Sequence, residues 1–302
     1  MAQQSQLVAT RAPHLKIRVE TTLQIMSEVM VALMPATVFG IYLFGLEAFA
    51  VVAATVAAAV LTEALAEQRL SGLREMIGDG SAALTGLLLA LTLPPTLGPG
   101  YAAAGAVCAI LFGKILQGGL GRNLFNPALV GRAIMLAVWP GLMTTYVGPV
   151  DRATTATPLV ADEFGAWEVF IGTVPGSIGE TSVPLLLIGG VFLLVRGRIE
   201  WRIPVFFILA TAITAALFGA DLWLHVFGGG LMLAAVYMAT DWVTSPNSES
   251  GQILFGIGCG IGTVLIRELG AYPEGVTYAI LLMNACTPLF DRFLKRKALG
   301  EA

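Results

Sequence analysis

Residues 78–95 read GDGSAALTGLLLALTLPP, and residues 228–241 read GGGLMLAAVYMATD. Each is an apolar run of helical character bracketed by helix breakers. The first gives 13 residues, 81–93, between Gly78-Asp79-Gly80 and Pro94-Pro95. The second opens on three glycines and ends at Thr240-Asp241. A straight helix needs about 20 apolar residues to cross the bilayer core, so neither run is comfortably long enough alone. Short, Gly- or Pro-interrupted runs at matching places in two halves point to broken helices around a midplane site. Irregular backbone at that depth must line a cavity or lie inside protein. The plainer alternative is a pair of tilted, packed helices.

Outward from these two runs the chain is apolar almost throughout. Of 302 residues 56% are hydrophobic and 12% charged, against about 45–50% and about 25% in soluble domains. That balance excludes a soluble enzyme and a disordered chain. A formal net charge of −3 supplies no basic patch for nucleic acid. Candidate spans lie at 25–44, 47–66, 81–93, 100–117, 124–140, 183–196, 203–220, 227–240, 252–269 and 276–294. Ten spans put both termini on one side and leave one long connection, 141–182.

The basic residues orient this arrangement. With the termini in the cytoplasm, the inner side receives Arg11, Lys16, Arg18, Arg69, Arg74, Lys114, Arg122, Arg132, Arg196, Arg198, Arg202, Arg292, Lys295, Arg296 and Lys297. The outer side receives Arg152 and Arg267. One span more or fewer destroys this positive-inside asymmetry. Trp139, Trp201, Trp223 and Trp242 fall at span ends, as an interfacial belt requires. The expected division is a cytoplasmic segment 1–24, a five-helix repeat 25–140, an outer (periplasmic) loop 141–182, a second five-helix repeat 183–294 and a basic cytoplasmic tail 295–302. An odd number of spans per repeat makes the second copy inverted, a common transporter architecture. The expected class is therefore an all-α, multi-pass integral membrane protein of the inner membrane, with short broken third and eighth helices. Residues 1–24 are polar and carry no signal-peptide pattern.

Ionisable residues inside a membrane default to functional candidates. Asp79 stands at the mouth of the third span, where helix N-capping competes with an ion-path role. Asp241, after Thr240, stands at a helix end whose dipole disfavours a carboxylate, so a bound cation or a nearby donor must offset it. Asp241, Thr240 and Asp79 are the candidate ion-path residues. Glu28 and Glu63 pair with neighbouring helices or join such a path. The segment 118–128, GGLGRNLFNPA, is rich in Gly and amides. It suits a polar ligand headgroup or a tight turn with Asn126 capping a helix that starts at Pro127. Cys108, Cys259 and Cys286 sit in apolar runs, and His14 and His225 are far apart, so no metal cluster is expected. There is neither a nucleotide-binding fingerprint nor a set of iron–sulfur ligands.

The outer loop contains DRATTATPL, residues 151–159, and PGSIGETS, residues 175–182. Together with 81–95, 118–132, Ala239-Thr240-Asp241 and AYPEGVTYAILLMNACTP at 271–288, these blocks resemble the RnfD family, the D component of the Rnf electron-transport complex. That family is related to NqrB, the B component of the sodium-translocating NADH:quinone reductase. The resemblance runs from about residue 20 to 295. It implies ten helices in an inverted five-plus-five repeat. It also implies flavin mononucleotide (FMN) joined through its phosphate to a threonine in a Ser/Thr-Gly-Ala-Thr motif. Thr154-Thr155-Ala156-Thr157 matches with Thr155 in place of Gly, making Thr157 the flavin-bearing residue, flanked by Asp151, Arg152, Ala156 and Pro158. Arg152 is either a partner for the flavin phosphate, whose geometry Arg suits, or a solvated loop charge. A second, noncovalent flavin, riboflavin among the candidates, is implied in the membrane region.

The expected function follows from that likeness. It is that of a membrane component, not catalytic alone, of a redox-driven translocase that passes electrons from ferredoxin or NADH through flavins and moves sodium ions or protons. The family implies a six-subunit complex whose other members contact ferredoxin and NAD. Two alternatives stay open. One is an NqrB-like component of the NADH:quinone reductase, although those chains carry a longer N-terminal extension. The other is a flavin-free channel or secondary transporter on the same repeat.

Overall fold

The computed structural model describes residues 20–69, 72–148, 154–155, 165–270 and 275–294. The regular structure of the described chain is helical apart from one two-residue strand pair. Thr21 starts α1 (Thr22–Phe44) by accepting the Gln24 N–H at 3.2 Å. Gly45, at φ 77°, turns the chain directly into α2 (Leu46–Ala66). After a short α3 (Leu73–Ile77) comes α4 (Ser81–Leu91), which is roughly 16 Å long and so about half the thickness of a bilayer core. Helix α5 (Pro99–Gly113) runs on through a 3₁₀ turn, Ile115–Gln117. Then follow α6 (Pro127–Val138), α7 (Pro140–Met143), a strand pair joining Tyr146 to Thr155 and Val147 to Thr154, and α8 (Ala166–Ile171). The second half holds α9 (Val183–Val195), α10 (Arg202–Phe218), α11 (Leu222–Phe227), α12 (Leu231–Leu233), α13 (Glu249–Leu269) and α14 (Val276–Phe293).

The run 227–240 is therefore not one helix. Gly228–Gly230 break it from α11, and α12 passes at once into a π-helical turn, Ala234–Met238. Among the described residues four helices are long and apolar enough to cross a membrane: α1, α2, α5 with its 3₁₀ turn, and α13. Helices α4, α6, α9 and α10 are apolar but shorter.

The two short elements are the centre of the molecule. Leu87–Leu91 of α4 and Leu231–Ala239 are all buried. The longer helices surround them and turn Val31, Val38, Leu61, Ile188, Ile213 and Leu282 outward, where a bilayer solvates them. With no hydrophobic drive between helices in lipid, close packing depends on small residues. Gly256 and Gly260, four apart on α13, lie against the α10 backbone, where added Cβ atoms would stand 2.8 Å from the Ile203 oxygen and 2.6 Å from the Phe207 oxygen. Gly189 lets α9 approach α1 in the same way, at the Ala32 carbonyl and the Tyr237 hydroxyl. That hydroxyl donates to the Leu186 carbonyl at 2.9 Å, tying the π turn to α9.

Three cations counted above toward the inner or outer side lie within the bundle. Lys114 is 2% exposed and Arg132 3% exposed. Arg267 is part-buried and donates to the carbonyls of His225 (2.7 Å), Gly228 (3.0 Å) and Gly229 (3.2 Å). These are interior charges compensated by protein, so they do not count toward the loop asymmetry. Glu28 and Glu63 pair with neighbouring elements, as one of the two readings expected.

Candidate functional site

The ends of both short runs meet at one cavity of about 290 Å³. The first turns of α4 supply Ser81, Leu84, Thr85 and Leu88; the end of the π segment supplies Tyr237, Thr240 and Asp241. The start of α1 contributes Thr22, Ile25, Met26 and Val29, and the connection into α6 contributes Lys114, Leu120, Asn123 and Asn126. Leu193, Arg198 and Ile199 close the remaining side. Apolar walls with a few convergent polar groups are the usual form of a small-molecule site, and the volume is near the lower bound of about 300 Å³ for such pockets.

Each polar group is held by a local rule. Asn126 caps α6 by accepting from the N–H groups of Ala128 (3.0 Å) and Leu129 (3.4 Å). Its amide also donates to the Met238 carbonyl at 3.2 Å, and its own N–H reaches Asn284 Oδ1 at 3.2 Å. The π turn frees carbonyls from ordinary helical bonding, and Asn126 satisfies one of them from the other half of the chain. Asn123 fixes its loop by donating to the Phe125 carbonyl at 3.2 Å. Thr240 returns its hydroxyl to the Val236 carbonyl at 2.7 Å, and Asp241 accepts from Thr244 Oγ1 at 3.1 Å.

At the α4 end, Asp79 accepts from both the N–H and the hydroxyl of Ser81. Burial works to raise the Asp79 pKa, and the two bonds from Ser81 together with the nearby Lys114 and Arg69 charges outweigh it, holding the carboxyl below its ordinary value. Lys114 donates to Ser81 Oγ and to Glu63 Oε1, so one chain of bonds joins Asp79, Ser81, Lys114 and Glu63. On the opposite wall the Arg198 guanidinium grips Glu20 bidentately, at 2.5 and 2.8 Å, and also donates to Glu28. The Arg198 carbonyl takes the Trp242 indole N–H at 2.6 Å.

The far end of α4 meets a second, much smaller cavity of about 20 Å³, lined by Thr92, Arg132, Ser177, Glu180, Gly229 and Gly230. Glu180 accepts from Ser177 Oγ at 2.7 Å. Thr240 and Asp241 thus line the larger, inner cavity, Asp79 bonds its wall residue Ser81, and Glu180 lies at the other end of α4. Of the flavin-loop candidates, Asp151, Arg152, Ala156, Thr157 and Pro158 lie outside the described residues. The backbone of Thr154 is in the strand pair with Val147. Sequence reasoning does not single out Lys114, Arg132, Arg198 and Glu180 as site residues. A lone cation at the end of an apolar run is the available signal for Lys114, and a cation within one is the signal for Arg132.

Comparison with known proteins places this architecture. The profile of the NQR2, RnfD, RnfE family matches residues 8–300. The chain belongs to that family. It is 45% identical to the D component of the Na(+)-translocating ferredoxin:NAD(+) oxidoreductase complex of Acetobacterium woodii, over 97% of this chain and 95% of the relative. It is 43% identical to the D component of the proton-translocating ferredoxin:NAD(+) oxidoreductase complex of Clostridium ljungdahlii, over 96% and 95%. It is 38% identical to the D component of the ion-translocating oxidoreductase complex of Stutzerimonas stutzeri, over 92% of each. Membership of the NQR2, RnfD, RnfE family agrees with a multi-pass, mostly helical membrane protein.

Proposed function

We propose that this chain is the D-type membrane component of an ion-translocating ferredoxin:NAD⁺ oxidoreductase complex, a redox-driven translocase in which it is not catalytic alone. The observation that carries the reading is similarity along nearly the whole chain to relatives bearing that name. Its partners are the other members of a six-subunit assembly, and its cargo is sodium ions or protons.

The finer architecture is ten spans in an inverted five-plus-five repeat, in the inner membrane, with both termini cytoplasmic. Equivalent packing supports it. In the first half α2 packs on α5 and α5 on α6; in the second α10 packs on α13 and α13 on α14. The first helices of the two halves, α1 and α9, pack on each other.

Flavin mononucleotide is carried on Thr157 in the outer loop, supported by the Thr-Thr-Ala-Thr motif. A second, noncovalent flavin occupies the inner cavity. The residues there fit such a molecule: Ile25, Val29, Leu84 and Leu88 offer apolar walls, while Asn123, Asn126, Ser81 and Thr240 offer amides and hydroxyls to a heteroaromatic edge. A bound flavin supplies one- and two-electron transfer. The chain itself holds and orients it, and shields it from water with the start of α1, which Arg198 clamps through Glu20 and Glu28. Asp241, Thr240 and Asp79 face the inner end of the ion path.

The test is the intact mass of the purified chain, with peptide mapping of residues 141–182. One flavin mononucleotide less one water, lost in Thr157→Ala, supports the reading. An unmodified chain from a host that has the flavin transferase refutes the covalent site and favours a flavin-free channel or transporter.

A further inference from the structure

Lys114 is among the least exposed charged side chains described, yet it forms part of the inner cavity wall. Its ammonium carries three donors. Glu63 on α2 takes one and Ser81 at the start of α4 takes another. Among the described residues no acceptor takes the third, and the side chain borders the cavity. The other charged groups near this space are differently placed. Arg198 is committed to Glu20 and Glu28, Asp241 is bonded by Thr244, and Asp79 is bonded by Ser81.

A buried ion pair is a poor device for holding helices together. Desolvation costs several kcal/mol per ion, and apolar residues of similar volume commonly serve as well or better. Helices α2 and α4 already pack through small residues such as Ala59 and Gly86, and α5 packs on both. The pair therefore calls for a use beyond packing, and its position on the cavity wall supplies one.

We propose that Lys114 is the charge-compensating residue of the inner cavity. It divides its positive charge between Glu63 and an electron-rich carbonyl or anionic edge of the bound molecule, and shifts toward that molecule when the molecule gains negative charge. This rests on the reading that the cavity holds a flavin. No bond is made or broken. The ammonium keeps its three protons, and its hold on Glu63 weakens as its hold on the ligand strengthens. The site accordingly selects neutral or anionic ligands with acceptor edges and rejects cationic ones.

The test is a redox titration of the noncovalent flavin in the intact purified complex carrying Thr157→Ala. Flavin content is first measured by acid extraction. Lys114→Met is expected to weaken the one-electron reduction equilibrium at least tenfold, about 59 mV toward lower potential. Glu63→Gln is expected to move it the opposite way, because the ammonium is then undivided. Lys114→Arg, which keeps the charge, is expected to stay within threefold of the parent. If Lys114→Met fails to retain flavin, the opposite shift in Glu63→Gln and the parent-like value of Lys114→Arg carry the proposal. A common direction for Lys114→Met and Glu63→Gln, or a Lys114→Arg value that departs from the parent more than threefold, overturns it. No extractable flavin in the parent complex refutes the reading of the cavity itself, before any variant is compared.

Discussion

Replacing Asn126 tests how the two halves of the molecule are joined. Its side chain does two separable jobs. The carbonyl oxygen caps α6 through Ala128 and Leu129, and the amide donates across to Met238. Asn126→Ala removes both. Loss of an N-cap costs about 1 kcal/mol, with a range of about 0.5–2. Orphaning a buried carbonyl costs about 1–3 kcal/mol in soluble proteins, while interhelical bonds in membranes average about 0.6 kcal/mol. The sum is about 1.5–5 kcal/mol. Asn126→Asp separates the contributions: it keeps an acceptor at a helix N-terminus, where a carboxylate is favoured, but sets it against the Met238 carbonyl. Unfolding by SDS in mixed micelles is the assay, with Asn284→Ala in a double-mutant cycle because Asn284 bonds the Asn126 N–H. Asn126→Asp is expected to lose at least about 1 kcal/mol, since the attraction to Met238 becomes repulsion. Stability equal to the parent in Asn126→Asp refutes the cross-link, and Asn126→Ala within about 0.5 kcal/mol of the parent refutes both roles.

Gly189→Ala drives a methyl group into the Ala32 carbonyl oxygen and the Tyr237 hydroxyl, closer than real Cβ contacts come. Overpacking of about 1–3 kcal/mol is expected, read in the same SDS titration, and an unchanged midpoint refutes the close α1–α9 approach. Asp241→Asn in the assembled complex is expected to lower the number of ions moved per electron, measured in vesicles; an unchanged ratio excludes Asp241 as an essential carrier. Hydrogen bonding from Arg198 holds the Glu20 carboxyl below its ordinary value of 4.5. A depressed carboxylate stabilises above its unfolded pKa and loses that contribution as pH falls through the folded one. Hydrogen-exchange protection at residues 20–28, taken relative to the unfolded chain at each pH, is therefore expected to fall below about pH 4.5, and Glu20→Gln to flatten that dependence; a slope that survives in Glu20→Gln assigns it elsewhere.

Apolar run length made the helices legible because the bilayer imposes a length requirement that local sequence must meet. The break at Gly78–Gly80 and the triple glycine at 228–230 were legible for the same reason, since glycine at positive φ ends a run. The π turn at Ala234–Met238 was not: its residues are ordinary helix formers, and the extra residue per turn is set by contacts of Tyr237 with α9 and of Asn126 with Met238. The capping role of Asn126 was visible from Asn-Pro at 126–127, whereas its second role depends on α6 lying against the π turn, a contact more than 100 residues away in the chain. The same distinction explains the misplaced cations. Counting Lys and Arg by nearest loop suits a charge that must find water, as the half-exposed Arg196 does. Lys114, Arg132 and Arg267 instead find compensating groups at Glu63, near Glu180 and at helix-end carbonyls. Those partners come from spans distant in sequence, so only the packed bundle reveals that these charges line its two cavities or brace their walls. A cation that ends or interrupts an apolar run is thus better weighed as an interior group first, because protein groups in the bundle can compensate it where no water reaches.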